Sequence, residues 1–331
     1  MSLLNSVQGR IQSQVRKALL GPTDLPLTSD VPLHLPQSET SVWLHGMGEP
    51  RDVTFLHSVA CISPFLICIG LESSDSGEKL VGKRFSLKFC RNTPERELLA
   101  EIGLEFADRI AATGRIPALF RAVSCRNFCI PALRLRAHDL FNVFGNRKSR
   151  KSTGQNVSAL EMRCNSAVFI CPRPVVLVSV ADQDCGNIFP MNLCGTLGGD
   201  YLGFALNSAR SAAPLISRIR RLALSSIPYC RIAVARAMRR NHHEASIRWG
   251  DLPFPTRRSK ALAIPVPEFS LRVCELNVED SWPLGSHTFF LARIAGEEIL
   301  SSDSAFFMIN GQYAALRQKI PGSMPQPLPV L

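Results

Sequence analysis

A chain of 331 residues, 46% hydrophobic and 20% charged, has the length for two domains and the apolar material for a core, which excludes a chain disordered throughout. Its longest apolar run, residues 59–71, contains Ser63 and Pro64 and is shorter than the roughly 20 residues of a membrane-spanning helix, so no membrane partner is expected. The formal net charge of +11 is concentrated, with nine arginines and a single acid, Glu244, between Arg210 and Arg248.

Residues 1–23 open the chain with Leu3, Leu4, Val7, Ile11, Val15 and Leu19 at helical intervals, beside Arg10, Arg16 and Lys17. That pattern predicts an amphipathic helix, either a docking helix or a targeting segment. Residues 24–146, with short apolar runs between turn residues, are expected to form a β-rich domain, in one reading a divergent barrel, and the polar, basic stretch 147–160 predicts a linker. A second domain follows over 161–317, and a Pro-rich tail covers 318–331. Eleven scattered cysteines without a signal-peptide pattern predict buried thiols in a reducing cytoplasm. Cys125 and Cys129 lack a partner pair at ligand spacing, so no metal site is expected.

Within the second domain, Arg173-Pro-Val-Val-Leu-Val-Ser-Val180 reads as a strand and the Asp/Gly cluster of residues 181–186 as a turn. Residues 187–194 read as a polar-studded loop and residues 201–206 as another strand. Residues 213–224 place Leu215, Ile216, Ile219, Leu222 and Ala223 at helical spacing opposite Arg218, Arg220 and Arg221. That predicts a basic amphipathic helix inside an insertion over 211–245, whose arginines form a solvated face or bind phosphate. Nucleic acid is not expected as a partner, because no aromatic residues interleave the arginines and no nucleic-acid motif is present. His242 and His243 are expected in an exposed polar loop.

The Arg-Pro strand, the Gly-containing turn, the run Asn187-x-x-Pro190-x-Asn192, and later Gly285-Ser-His-Thr-Phe-Phe-Leu-Ala-Arg293 resemble the FMN-binding split barrel of the flavin reductase-like family over residues 165–296. Two positions depart from that family's pattern: Asn192 stands where it has Ser, and Ser286 where it has Asp. The first half carries an echo of the same order. Trp43-Leu44, a turn, residues 52–58 and residues 63–71 repeat strand, turn, loop and strand, with Ser58 near the place of Asn192 and His138 in the place of His287. The expected fold is therefore mainly β with helical additions, a split β-barrel with two barrel-like domains in tandem, a fused form of the family's homodimer. Chance likeness of short apolar strands is the competing explanation.

The resemblance implies a flavin-binding oxidoreductase that moves hydride from NAD(P)H to FMN, or FAD, and on to oxygen, a small-molecule acceptor or a partner oxygenase. It implies cofactor contacts from Asn187, Ile188, Met191, Asn192 and Thr196, and a role for His287 beside the reacting ring. The hydroxyls and guanidinium of Ser208, Arg210 and Ser211 suit a phosphate at a helix start. The quaternary state expected is a homodimer or an intramolecular pseudo-dimer. The alternative is a flavin-binding or protein-interaction module without turnover. No Gly-x-Gly-x-x-Gly, Walker or Gly-x-Ser-x-Gly motif offers another chemistry.

Overall fold

The computed structural model describes residues 27–72, 80–110, 116–136, 157–182 and 185–319. Strands dominate. β1 (Thr28–Leu33), β2 (Thr40–His45), β3 (Arg51–Asp52), β4 (His57–Cys61), β5 (Leu66–Leu71), β6 (Arg84–Arg91), β7 (Leu98–Arg109) and β8 (Ile116–Asn127) make up the first half. Helix α1 (Ala159–Val168) leads into β9 (Arg173–Pro174), β10 (Val176–Asp182), β11 (Cys185–Met191), β12 (Cys194–Gly198) and β13 (Tyr201–Asn207). After them come α2 (Ala212–Ile219), β14 (Arg221–Ser226), α3 (Ile232–Met238), β15 (Thr256–Arg258), β16 (Pro265–Pro267), β17 (Arg272–Pro283), β18 (His287–Ile299), β19 (Ala305–Asn310) and α4 (Gly311–Gln318).

Two seven-stranded antiparallel sheets share one topology. The first runs β3-β2-β6-β7-β8-β5-β4 and the second β11-β10-β14-β17-β18-β13-β12, so each strand of one half has a counterpart in the other. The chain is thus mainly β with helical additions, and each sheet curls as a split β-barrel. The match extends to irregularities. β7 and β8 carry two bulges, between Gly103/Leu104 and between Phe106/Asp108; β17 and β18 repeat both, between Glu275/Leu276 and between Val278/Asp280. A bulge bends a strand and sharpens its twist, so the same pair curls both sheets at the same place. A backbone bond repeats as well: Ala205 N–H donates to Leu193 O at 3.0 Å, and Gly70 N–H donates to Leu56 O at 2.8 Å.

These registers correct two expectations. β5 pairs with β8 through Leu71↔Ile116 as β13 pairs with β18 through Leu206↔Thr288. The counterpart of β18 is therefore β8, and the position matching His287 immediately precedes Ile116. His138, expected in that place, lies outside the described residues. The matched bulges after Val59 and Thr196 align Ser58 with Gly195 and Phe55 with Asn192. Ser58 is thus not the equivalent of Asn192.

β5 is buried at every residue and β13 at all but Asn207. Their unbroken apolar sequences follow from cover on both faces, one by their own barrel and the other by the opposite half. A shared cluster fills the seam, with Ala60, Cys61, Leu66, Cys68, Ile110 and Leu119 facing Leu197, Tyr201, Ala205, Phe289 and Leu291. Backbones approach closely there. A Cβ on Gly70 would strike the Leu197 carbonyl, and one on Gly195 would strike the His57 carbonyl. A third sheet, β1-β19-β9, ties the start of the described chain to its end. Two helices close the first half's core, α1 through Cys164, Ala167 and Val168, and α4 through Tyr313 and Ala314.

α1 begins with a capping box, in which Glu161 N–H donates to Ser158 Oγ and Ser158 N–H donates to Glu161 Oε2. α4 is capped by Asn310, whose Oδ1 accepts from Gln312 N–H and Tyr313 N–H. The helix expected over residues 213–224 is shorter. Arg220 adopts φ 60°, its N–H donates to Ile216 O, and α2 ends there; Leu222, Ala223 and Leu224 then continue as β14 between β10 and β17. Left-handed backbone stops a helix, and the apolar residues that mimic a helical stripe are strand residues buried in the sheet. The basic insertion is therefore divided between α2, a central strand, and α3 with its flanking 3₁₀ turns.

Among the described residues no helix is long and apolar enough to cross a membrane, and no group of three His, Cys, Asp or Glu could hold a metal ion. Of the ten cysteines whose side chains are described, seven are buried and all ten are free thiols. The buried ones act as small apolar packing groups.

Candidate functional site

β13 ends at Asn207, which pairs with His287, the first residue of β18. The turn after β13 therefore lies against residues 286–288. Ser208 N–H donates to Ser286 O at 3.1 Å, and the hydroxyls of Ser208 and Thr288 are 3.0 Å apart. Asn207 Oδ1 holds the turn by accepting from Ala209 N–H at 2.9 Å. Pro214 sits in the first turn of α2, where a missing N–H costs nothing.

Ser211 stands at the N-cap of α2 without making a side-chain cap. Its hydroxyl instead donates to His243 O at 3.0 Å. Arg210 Nη1 donates to His243 Nδ1 at 3.0 Å, and no carboxylate among the described residues pairs with this guanidinium. The first turn of α2 contains no acid. Ser208, Arg210 and Ser211 are thus brought together at a helix start without a side-chain cap, where the Arg210 guanidinium suits an anion and the Ser211 proton is held by His243 O.

The residues from β11 onward divide. Asn187 is fully buried, and its Nδ2 donates to Asn241 O at 2.9 Å and Glu244 O at 2.8 Å. It anchors the basic insertion to β11. Ile188 packs under α3 with Ala235 and Met238, and Met191 belongs to the second half's core. Residues 185–191, expected as turn and loop, are a strand paired with β10. Asn192 and Thr196 lie nearer the seam: Asn192 Nδ2 donates to Met308 Sδ at 3.3 Å, and the Thr196 hydroxyl donates to Phe55 O. His242 is not in an exposed loop. Its Nε2 donates to Pro190 O at 2.8 Å, its ring lies 4.8 Å from that of Phe189, and burial lowers its pKa.

His287 is buried at the start of β18, and its Nδ1 is 2.8 Å from Ser286 Oγ. Burial lowers its pKa to about 4, so the imidazole is neutral near pH 7. The first half reaches this turn directly: Ser63 N–H donates to Ser286 Oγ at 2.9 Å, and Ser286 N–H donates to Ser63 O at 2.8 Å.

A further residue emerges from the structure. Arg173 is 5% exposed, its Nη2 donates to His57 Nε2 at 2.7 Å, and its Nε is buried without a partner. No carboxylate among the described residues contacts it, and the thiols of Cys171 and Cys194 are the titratable groups that act on its charge. The Arg-Pro dipeptide marks this position in the sequence, but only the fold shows that the charge is enclosed without an acid.

No family model matches the chain, and no curated protein matches it. Solved structures similar to it include an FMN-binding protein from Thermus thermophilus, at 19% identity and a TM-score of 0.35, covering 39% of this chain and 72% of that one. An NADH:FAD oxidoreductase from Streptomyces globisporus is similar at 12% identity and a TM-score of 0.41, covering 45% of this chain and 88% of that one. The flavin reductase of a styrene monooxygenase from Pseudomonas putida is similar at 16% identity and a TM-score of 0.36, over 44% and 91% of the two chains.

Proposed function

We propose that the chain is a flavin-binding oxidoreductase built as an intramolecular pseudo-dimer, taking hydride from NAD(P)H and passing electrons to oxygen, a small-molecule acceptor or a partner oxygenase. The observation that carries this reading is the acid-free start of α2, where Ser208, Arg210 and Ser211 gather next to His287 and the Arg210 guanidinium has no carboxylate partner among the described residues. These residues fit the phosphate of FMN. The flavin, when bound, supplies a ring that accepts hydride and releases electrons singly or in pairs. Asn192 and Thr196 offer polar groups at the seam, and the enclosed Arg173 charge favours an electron-rich ring edge. In this reading Asn187, Ile188 and Met191 support the site from behind.

One flavin per chain is expected. Phe55 and Val59 occupy the first-half positions that match Asn192 and Thr196, and they offer no polar side chain. Titration with FMN, followed by its absorption change, tests both points. One site per chain, weakened by Arg210→Ala and unaffected by Arg239→Ala, supports the reading; no binding of FMN or FAD overturns it.

A further inference from the structure

The turn Gly285-Ser286-His287 is held by the opposite half of the molecule. Gly285 has φ +104°, and a Cβ there would lie 2.5 Å from Ser63 O and 2.8 Å from the Pro64 ring. Ser63 in turn donates from its hydroxyl to Glu161 Oε1 at 3.1 Å, and Glu161 is fixed by the α1 capping box. A continuous line of hydrogen bonds therefore runs from α1 through Ser63 to Ser286 and His287.

The protons along this line can be assigned. Ser63 N–H can only donate, so Ser286 Oγ accepts from it. Cys61 Sγ donates to Ser63 O at 3.3 Å and lies 3.5 Å from Ser286 Oγ. The Ser286 hydroxyl keeps one proton, and the imidazole nitrogen at 2.8 Å is a far better acceptor than a thiol sulfur at 3.5 Å. Nδ1 is then the acceptor, and the ring proton resides on Nε2, for which no hydrogen-bond partner exists among the described residues.

We propose that Ser286 is a positioning residue that fixes His287 as the neutral Nε2–H tautomer, with the first half of the chain serving to hold Ser286 in place. Resting on the flavin reading, this makes His287 a hydrogen-bond donor to the bound ring or its nicotinamide partner, rather than a group that exchanges a proton near neutral pH. A carboxylate in place of Ser286 would instead favour the doubly protonated ring. The titratable groups on this line are Cys61 of β4, 3.5 Å from Ser286 Oγ, and Glu161 of α1, which is bonded to the Ser63 hydroxyl; burial accounts for the lowered pKa of His287.

The test is ¹⁵N–¹H correlation of the histidine rings in the flavin-free protein, which needs no cofactor and no turnover. The expected spectrum shows His287 protonated at Nε2 from pH 6 to 8, a mixture of tautomers in Ser286→Ala, and recovery of the single tautomer in Ser286→Thr. Ser286→Asp is expected to bring His287 titration up into that pH range. Protonation at Nδ1 in the unaltered protein, or an unchanged pattern in Ser286→Ala, overturns the proposal. FMN titration of the same samples reports separately on the flavin reading.

Discussion

Arg173 on β9 donates to the imidazole of His57 on β4 at 2.7 Å, joining the edge strand of the β1-β19-β9 sheet to the seam between the two halves. His57 Nδ1 lies 2.6 Å from Val53 O, which can only accept, so the ring proton is on Nδ1 and Nε2 receives the guanidinium. Burial first, and the adjacent Arg173 charge second, lower the His57 pKa to about 3.

A pH dependence follows. Because the folded pKa lies below the ordinary 6.5, the unfolded state binds the extra proton between these values. The contribution of His57 is full above pH 6.5 and is lost as pH falls toward 3, by up to about 1.4 kcal/mol per pH unit. Urea unfolding at pH 7 and pH 5 measures it. His57→Gln, which retains an acceptor for Arg173, is expected to lose less stability over that interval than the unaltered protein; an equal loss would refute the assignment.

The seam predicts a contrast between two glycines. Gly70→Ala drives a methyl group into the Leu197 backbone and is expected to cost several kcal/mol, in the range of severe packing changes. Gly250→Ala meets nothing within 4 Å and is expected to stay within about 0.5 kcal/mol of the parent. Chemical denaturation of both variants checks this, and similar losses would show that the two halves do not pack as described.

Arg173→Gln keeps a donor near His57 while removing the enclosed charge. Flavin affinity is expected to fall, and more for the reduced cofactor than for the oxidised one, because added electron density is what the cation favours. The flavin midpoint potential should therefore drop. A potential that stays fixed would place Arg173 outside the site.

The repeated strand order was legible because β-branched and apolar runs such as residues 66–71 and 201–206 carry their own signal. Residues 222–224 misled for a physical reason: a short apolar run buried in a central strand has the same spacing as a helical stripe, and only the left-handed Arg220 separates them. Asn187 was legible as a polar residue in a motif, but its direction was not. Strand pairing turns it toward Asn241 and Glu244. The partners of His287 were hidden because Ser63 and Ser286 lie 223 residues apart, and no local pattern links them.

The most direct test of a flavin-dependent activity is an anaerobic absorption experiment on the purified protein loaded with FMN and mixed with NADH or NADPH. One bound flavin per chain is expected, whose oxidised absorption bleaches on mixing and returns with oxygen. Flavin that binds and stays oxidised with both nicotinamides, or a protein that binds neither FMN nor FAD, would contradict it.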